Sequence, residues 1–280
     1  CYIQRLIDTV MSPELRVYDT NRWGEDALET LHGSKSHISY ISHLAWMICG
    51  YKSVGGDDRY DAVLSKLCET MNRRILSSPS LNLPTYPGES IYVPDMLVAI
   101  VALKQYSQMA GGRYSSTVDK WIAKAQGEWL DEESGLLVSF LGADGKQYTD
   151  APVKGSYSAL NCYYLTLIDP TFANEQYTLL KKHLWRDNFI PGLCEYKEWT
   201  PVFGLDVDAG PLVFGLSPSG TAFLTGSATY FEDSATRAHL LTTAETAGHT
   251  IAYGNTRHYL LAHLALVGEP IMLAMRTHGK

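Results

Sequence analysis

Four stretches of this sequence repeat one pattern: an apolar run at helical spacing, a polar break, a second and more polar helical run, then a long loop rich in aromatic residues. The units begin at His37, Asp95, Ser156 and Pro211, a period of roughly 60 residues. In the first, Ile38, Ile41, Leu44, Ala45 and Ile48 share helical spacing, and residues 55–76 supply the partner helix. Asp57 or Asp58 is the expected N-cap there, with Asp61 in the first turn. In the second, DMLVAIVALKQYSQMAG is apolar nearly all round and reads as an inner, buried helix; GGRYSSTVDKWIAKAQGEWL is amphipathic and belongs outside. In the third, SYSALNCYYLTLI is inner, and Asp169–Pro170 ends it and opens the next helix.

The fourth unit, PLVFGLSPSGTAFLTGSATYF, should bend or break at Pro218 before the outer run EDSATRAHLLTTAETAG. NTRHYLLAHLALVG and EPIMLAMRTHGK read as a last helical hairpin, and YIQRLIDTV as a helix that closes the ring. The expectation is therefore an all-α chain, 1–280 a single (α/α)-toroid domain of about five to six hairpins with inner and outer helix layers. An open solenoid is the rival; it needs polar terminal helices, and these are not clearly polar.

Composition narrows the function. The chain has 280 residues, 45% of them hydrophobic, enough for one large core. The net charge is −7, and the tight basic pairs are Arg73–Arg74 and Lys181–Lys182. Nucleic acid requires a clustered basic face, so that class is set aside. No apolar run is long enough to span a membrane. Cys49, Cys68 and Cys162 sit in apolar helical patterns and read as buried thiols, whereas Cys194 falls in a loop. Cys1 fits a lipid anchor left by lipoprotein processing, and with it a periplasmic or secreted location. The simpler reading is that the sequence merely starts there.

The long loops all follow an outer helix and precede an inner one, so they emerge at one rim, the expected place for chemistry. PTYPGESIYVPD holds Glu89 between prolines and beside Tyr86 and Tyr92. Desolvation among aromatics would raise its pKa and suit it to be a general acid; capping a helix or pairing with an arginine is the plainer role. Asp95 has helix capping as its default. CEYKEWTPVFGLDVDAGP carries Glu195, Glu198, Asp206 and Asp208 with Tyr196, Trp199 and Phe203. Asp206 or Asp208 is the candidate base, although Asp208 is also placed to cap a helix. His37, at the start of the first inner helix, is a further candidate base. His43 lies about 240° round the same helix, which makes the two a poor metal pair and leaves His43 as a hydrogen-bonded core residue. Lys154 and Tyr157, in VKGSYS, are placed to reach the cavity. There is no GxSxG elbow, phosphate loop or dinucleotide fingerprint, so neither a cofactor nor a metal is expected.

The succession GSKSHISYISHLAW, TYPGESIYVPDMLVAI, VKGSYSAL and DVDAGPLVFGLSPSGTAF, spanning roughly residues 33–230, resembles a bacterial family of (α/α)6-toroid proteins described as linalool dehydratase/isomerase-like, many without an assigned activity. The resemblance implies a cofactor-free lyase or isomerase acting on a small alcohol, with cysteines and acid/base residues in a central cavity. Neither Cys162 nor Cys194 matches the family's catalytic cysteines. The same toroid is shared with many glycosidases and polysaccharide lyases, an argument from fold alone. Abundant tyrosine and tryptophan beside carboxylates suit sugar rings. Two carboxyls about 6.5–9.5 Å apart would serve an inverting glycosidase. The leading expectation is thus a glycoside hydrolase-like enzyme on an oligosaccharide or small-molecule substrate. Glu89 would be its acid, Asp206 or Asp208 its base, and His37 with Tyr86, Tyr92, Tyr157, Tyr196, Trp199 and Lys154 would hold the substrate. A non-catalytic sugar-binding protein is the remaining alternative.

Overall fold

The structure, a computed structural model, describes every residue except 1, 149–150, 188, 199–202, 207–208, 261–266 and 280. The chain divides into two compact units, Cys1–Trp129 with Phe140–Ala151 and Leu130–Ser139 with Pro152–Lys280. Both are helical, and the repeating hairpins of the sequence are present in each.

In the first unit, α1 (Tyr2–Met11) and α2 (Pro13–Trp23) are separated at Ser12. The Ser12 hydroxyl accepts from the Leu15 amide and Pro13 takes the first helical position, where its missing N–H costs nothing. Helix α2 stops at Gly24, whose φ of +75° sends its amide back to the Thr20 carbonyl. The pair α3 (Ile38–Ser53) and α4 (Asp61–Ser77) follows. Neither Asp57 nor Asp58 caps α4. Tyr60 occupies that position without a side-chain bond, because Asp57 is used within the preceding turn, accepting from the Arg59 amide. After β1 (Ile91–Tyr92), α5 (Val93–Met109) packs on α3, α4 and α6 (Ser115–Glu128). Every residue from Val93 to Leu103 is buried, as a helix apolar on all sides must be. Strand β2 (Phe140–Leu141) pairs antiparallel with β1, Ile91 opposite Leu141. Beyond it, Ala143-Asp144-Gly145 makes a tight turn, the Gly142 amide donating to the Lys146 carbonyl.

In the second unit, α7 (Gly155–Ile168) and α8 (Pro170–Leu184) meet at Asp169, whose carboxylate caps α8 through the Thr171 and Phe172 amides. Two short ladders follow, β3 (Trp185–Arg186) with β4 (Gly192–Leu193), and β5 (Gly204–Asp206) with β6 (Gly210–Leu212). Helix α9 (Pro218–Tyr230) packs on α7, and α10 (Ser234–Gly248) packs on α9. Leu136, Ala159, Cys162, Leu180, Leu193, Leu224, Ala228 and Leu240 form their shared core. Pro218 neither bends nor breaks a helix. It is the first residue of α9, capped by Ser217, and residues 210–212 before it are strand. The last helical hairpin is also corrected. Thr250–Tyr253 (β7) and Thr256–Tyr259 (β8) form a β-hairpin turning at Gly254, φ +57°; residues 261–266 of the expected hairpin lie outside the described residues, and the next described helix is α11 (Gly268–Arg276). Threonine, isoleucine and tyrosine on either side of Gly-Asn favour that outcome. Among the described residues, no helix is long and apolar enough to cross a membrane.

Asp233 ties α8 to α10. Its carboxylate accepts from the Thr236 amide of α10 (3.1 Å) and from Tyr177 (2.8 Å) and Lys181 (2.5 Å) of α8. Burial pushes its pKa up, but the Lys181, Thr236 and Tyr177 hydrogen bonds outweigh this and hold it well below the usual carboxylate range. A depressed folded-state pKa contributes stability above the unfolded value of about 4 and loses it as pH falls. Asp233→Ala should therefore cost about 1–3 kcal/mol at neutral pH. In urea titrations across pH, that deficit should shrink steadily below pH about 4.

Candidate functional site

Polar side chains gather at the N-terminal ends of the buried helices. In the first unit the anchor is His37, the residue that precedes α3, with its side chain completely buried. The Glu25 carboxylate lies 2.9 Å from Nε2 of His37 and 3.2 Å from Nζ of Lys35. Burial pushes the Glu25 pKa up, but the hydrogen bonds from His37 and Lys35 outweigh it, so Glu25 stays an anion. An anionic carboxylate only accepts, so Nε2 of His37 donates to Glu25. Nδ1 is buried with no hydrogen-bond partner. The Tyr86 ring stands edge-on to the imidazole at 6.1 Å and stacks on Trp23 at 4.9 Å. Arg22 lies 5.2 Å from the centre of the Trp23 ring.

The loop bearing Glu89 is fixed by its own sequence. Pro87-Gly88 forms a tight turn, with the Glu89 amide on the Tyr86 carbonyl (3.1 Å) and Gly88 at φ +84°, the left-handed value a type II turn demands. The Ser39 and Thr85 amides bond to the Thr85 and Ser90 carbonyls, respectively, closing the loop against α3. Glu89 stands exposed past the turn, and Tyr92 packs on Phe140 at 5.1 Å. At the end of the loop, Asp95 is 6% exposed and accepts from the Ser39 hydroxyl at 3.2 Å. It does not cap α5, whose N-cap is Tyr92. Burial raises the Asp95 pKa. Protonated His43 and the Thr85 and Ser39 hydroxyls pull it down less strongly, and the negative charge of Glu89 pushes it further up. Burial also raises Tyr86 to about 12, aided by Asp19, so the phenol stays neutral. His43 is not a core residue: it is exposed on α3, with Nδ1 donating to the Ser39 carbonyl at 2.7 Å.

In the second unit, Glu195 is completely buried and spans the start of α7. Its carboxylate accepts from the Ser156 amide (3.0 Å) and hydroxyl (2.7 Å), while its carbonyl takes the Gly155 amide (2.8 Å). An anion facing helix amides is the arrangement that helix electrostatics favour. Next to it, Asp206 accepts from Lys154 (3.0 and 3.3 Å), from Tyr196 (2.5 Å) and from the Ala209 amide (2.8 Å). Lys154 also lies 5.6 Å from the Tyr157 ring centre and 6.0 Å from that of Tyr196.

The residues singled out from the sequence thus separate into two groups. Glu89, Tyr86, Tyr92 and His37 belong to the first unit; Lys154, Tyr157, Tyr196 and Asp206 belong to the second. Asp208 and Trp199 lie outside the described residues. Asp206 is committed to a lysine, a tyrosine and a backbone amide. Glu25 and Ser39 escaped sequence reasoning because their partners lie 12 and 56 residues away. Glu195 was visible only as one acid among several. The Cys194 thiol is buried despite its place in a loop, and burial pushes it, Cys49, Cys68 and Cys162 upward, Cys49 to about 12. Among the described residues, no group of three or more His, Cys, Asp or Glu side chains is placed to hold a metal ion.

No protein-family model matches the chain, and no curated protein matches its sequence.

Gly155 makes the Glu195 contact possible. A Cβ there would sit 2.0 Å from the Cys194 carbonyl oxygen, a backbone atom that cannot swing aside. Gly155→Ala should destabilise by about 1–3 kcal/mol or more. Gly127→Ala, in α6 where a Cβ meets nothing within 4 Å, should instead stabilise by about 0.5–1 kcal/mol. Denaturant unfolding of the two variants measures both signs.

Proposed function

We propose that this protein is a carbohydrate-active hydrolase in which Asp95 is the proton donor and Glu89 the second carboxylate. The observation that carries this reading is the contrast between Asp95, in the first turn of α5, and Glu89, in the loop that leads into that helix. Asp95 is buried with its pKa raised, and Glu89 is exposed and close enough for its charge to act on Asp95. A buried carboxyl with a raised pKa has the character of an acid, and an exposed carboxylate near it can serve as a base. The buried carboxyl would protonate the leaving glycosidic oxygen, and the exposed carboxylate would activate the attacking water. Tyr86, Tyr92 and Tyr148, in the loop and beside it, supply aromatic surface for sugar rings, and the Ser90 and Tyr148 hydroxyls, 2.9 Å apart, supply polar contacts.

This assignment exchanges the role of Glu89 for that of a base and leaves Asp206 bonded to Lys154 and Tyr196 in the second unit. We further infer that the hairpins close as an (α/α) toroid, supported by inner helices such as α5 and α7 being buried along nearly their whole length. The dehydratase/isomerase alternative is less well supported, because burial holds the described thiols in their protonated form.

Asp95→Asn should lower turnover of oligosaccharides by about 10²–10⁴-fold without loss of the folded state. It should act far less on aryl glycosides whose leaving group needs no proton. Glu89→Gln should impair both substrate types. Because Asp95 must be protonated to act, activity should fall as pH rises through its raised pKa. Full activity of Asp95→Asn on natural oligosaccharides would sink the assignment. Saturable sugar binding with no product from the wild type would favour a binding protein instead.

A further inference from the structure

Ser39 holds two titratable groups at once. Its hydroxyl donates to Oδ1 of Asp95 at 3.2 Å, and its carbonyl accepts from Nδ1 of His43 at 2.7 Å. The carbonyl can only accept, so the Nδ1 proton of His43 is fixed and any further proton is taken at Nε2. His43 is one turn beyond Ser39 on the same face of α3, and it is exposed. Asp95, on α5, is buried. A solvent-open imidazole and a closed carboxyl are thus mounted on a single residue.

We propose that His43 is a positioning residue for Asp95: Ser39 holds imidazole and carboxyl as one unit, and the charge on His43 governs how readily Asp95 keeps the proton it donates. The inference rests on the reading of Asp95 as the acid, but its physical core is independent of the substrate. The groups facing Asp95 are Ser39 and His43 from α3, and Thr85, Tyr86 and Glu89 from its own loop. Of these, His43 is the group that becomes a cation, and its charge opposes the proton on Asp95, while the charge of Glu89 favours it. Acidifying the solution charges His43 and so resists the protonation of Asp95. The carboxyl consequently titrates over a broader range than an isolated acid would. Burial alone would make Asp95 a proton trap; the nearby imidazole returns it to a range in which it can give the proton up.

The test reads Asp95 directly. The side-chain carboxyl carbon of Asp95, identified by its loss in Asp95→Asn, is followed by NMR across pH in the full chain. In His43→Gln the proton affinity of Asp95 should rise at least threefold, a midpoint shift of about half a pH unit. In His43→Arg, which keeps a permanent charge, the midpoint should stay at or below that of the wild type. A purely structural role for His43 would move both variants in the same direction or neither. An unchanged midpoint in His43→Gln, or equal shifts in the two variants, would overturn the proposal. Opposed shifts in a protein that hydrolyses no glycoside would keep the coupling and remove the hydrolase reading. Unchanged titration in an active hydrolase would do the reverse.

Discussion

A helix buried on every side still begins with amide groups that have no partner within the helix, and water does not reach them. The polar architecture of this protein follows largely from that constraint. Helix α7 is met by the Glu195 carboxylate and α9 by Ser217, and the partly exposed helices α8 and α10 are capped in the same way by Asp169 and Asp233. Each solution brings a side-chain oxygen to a fixed place at a helix start. Once there, the oxygen recruits further partners: Asp233 collects Tyr177 and Lys181, and Glu195 collects the Ser156 hydroxyl. Charge and hydrogen bonding concentrate at these ends because the flanks of the inner helices leave no room for them.

Helix α5 answers the constraint differently. Its N-cap, Tyr92, makes no side-chain cap bond, and Asp95 in its first turn reaches across to Ser39 of α3. A carboxyl that is neither ion-paired nor spent on its own helix keeps a raised pKa, whereas Asp233, bonded to Lys181, Thr236 and Tyr177, is held well below the usual carboxylate range. Asp95 and Asp206 are both buried, and they differ in what each is bonded to.

The helical hairpins were legible because apolar periodicity and full burial are written in contiguous residues: Val93 to Leu103 announces an inner helix without reference to anything else. Pro218 misled because a proline within an apolar stretch reads as a break, and only the placement of Ser217 before it shows a helix start. Residues 256–259 misled because their tyrosine and threonine fit a helical spacing while their pairing with residues 250–253 decides the matter. The site was harder still. Glu25 acquires its meaning from His37, and His43 from an aspartate 52 residues later in the chain. Such partnerships carry no local signal. His43 was taken for a core residue on helical phase alone, which says nothing of the face that neighbouring segments leave open.

The division of the chain has a consequence for anyone who would take it apart. Residues 130–139 belong to the second unit, but residues 140–151 return to the first, carrying the strand that pairs with Ile91 and Tyr92. The polypeptide therefore passes between the units at three places. A cut before residue 130 strips the first unit of β2; a cut after residue 151 leaves the second without Leu136, a member of its core. No single scission yields two intact pieces, so the units are inherited, expressed and degraded together, and a recombination that exchanged one of them would have to splice the chain more than once.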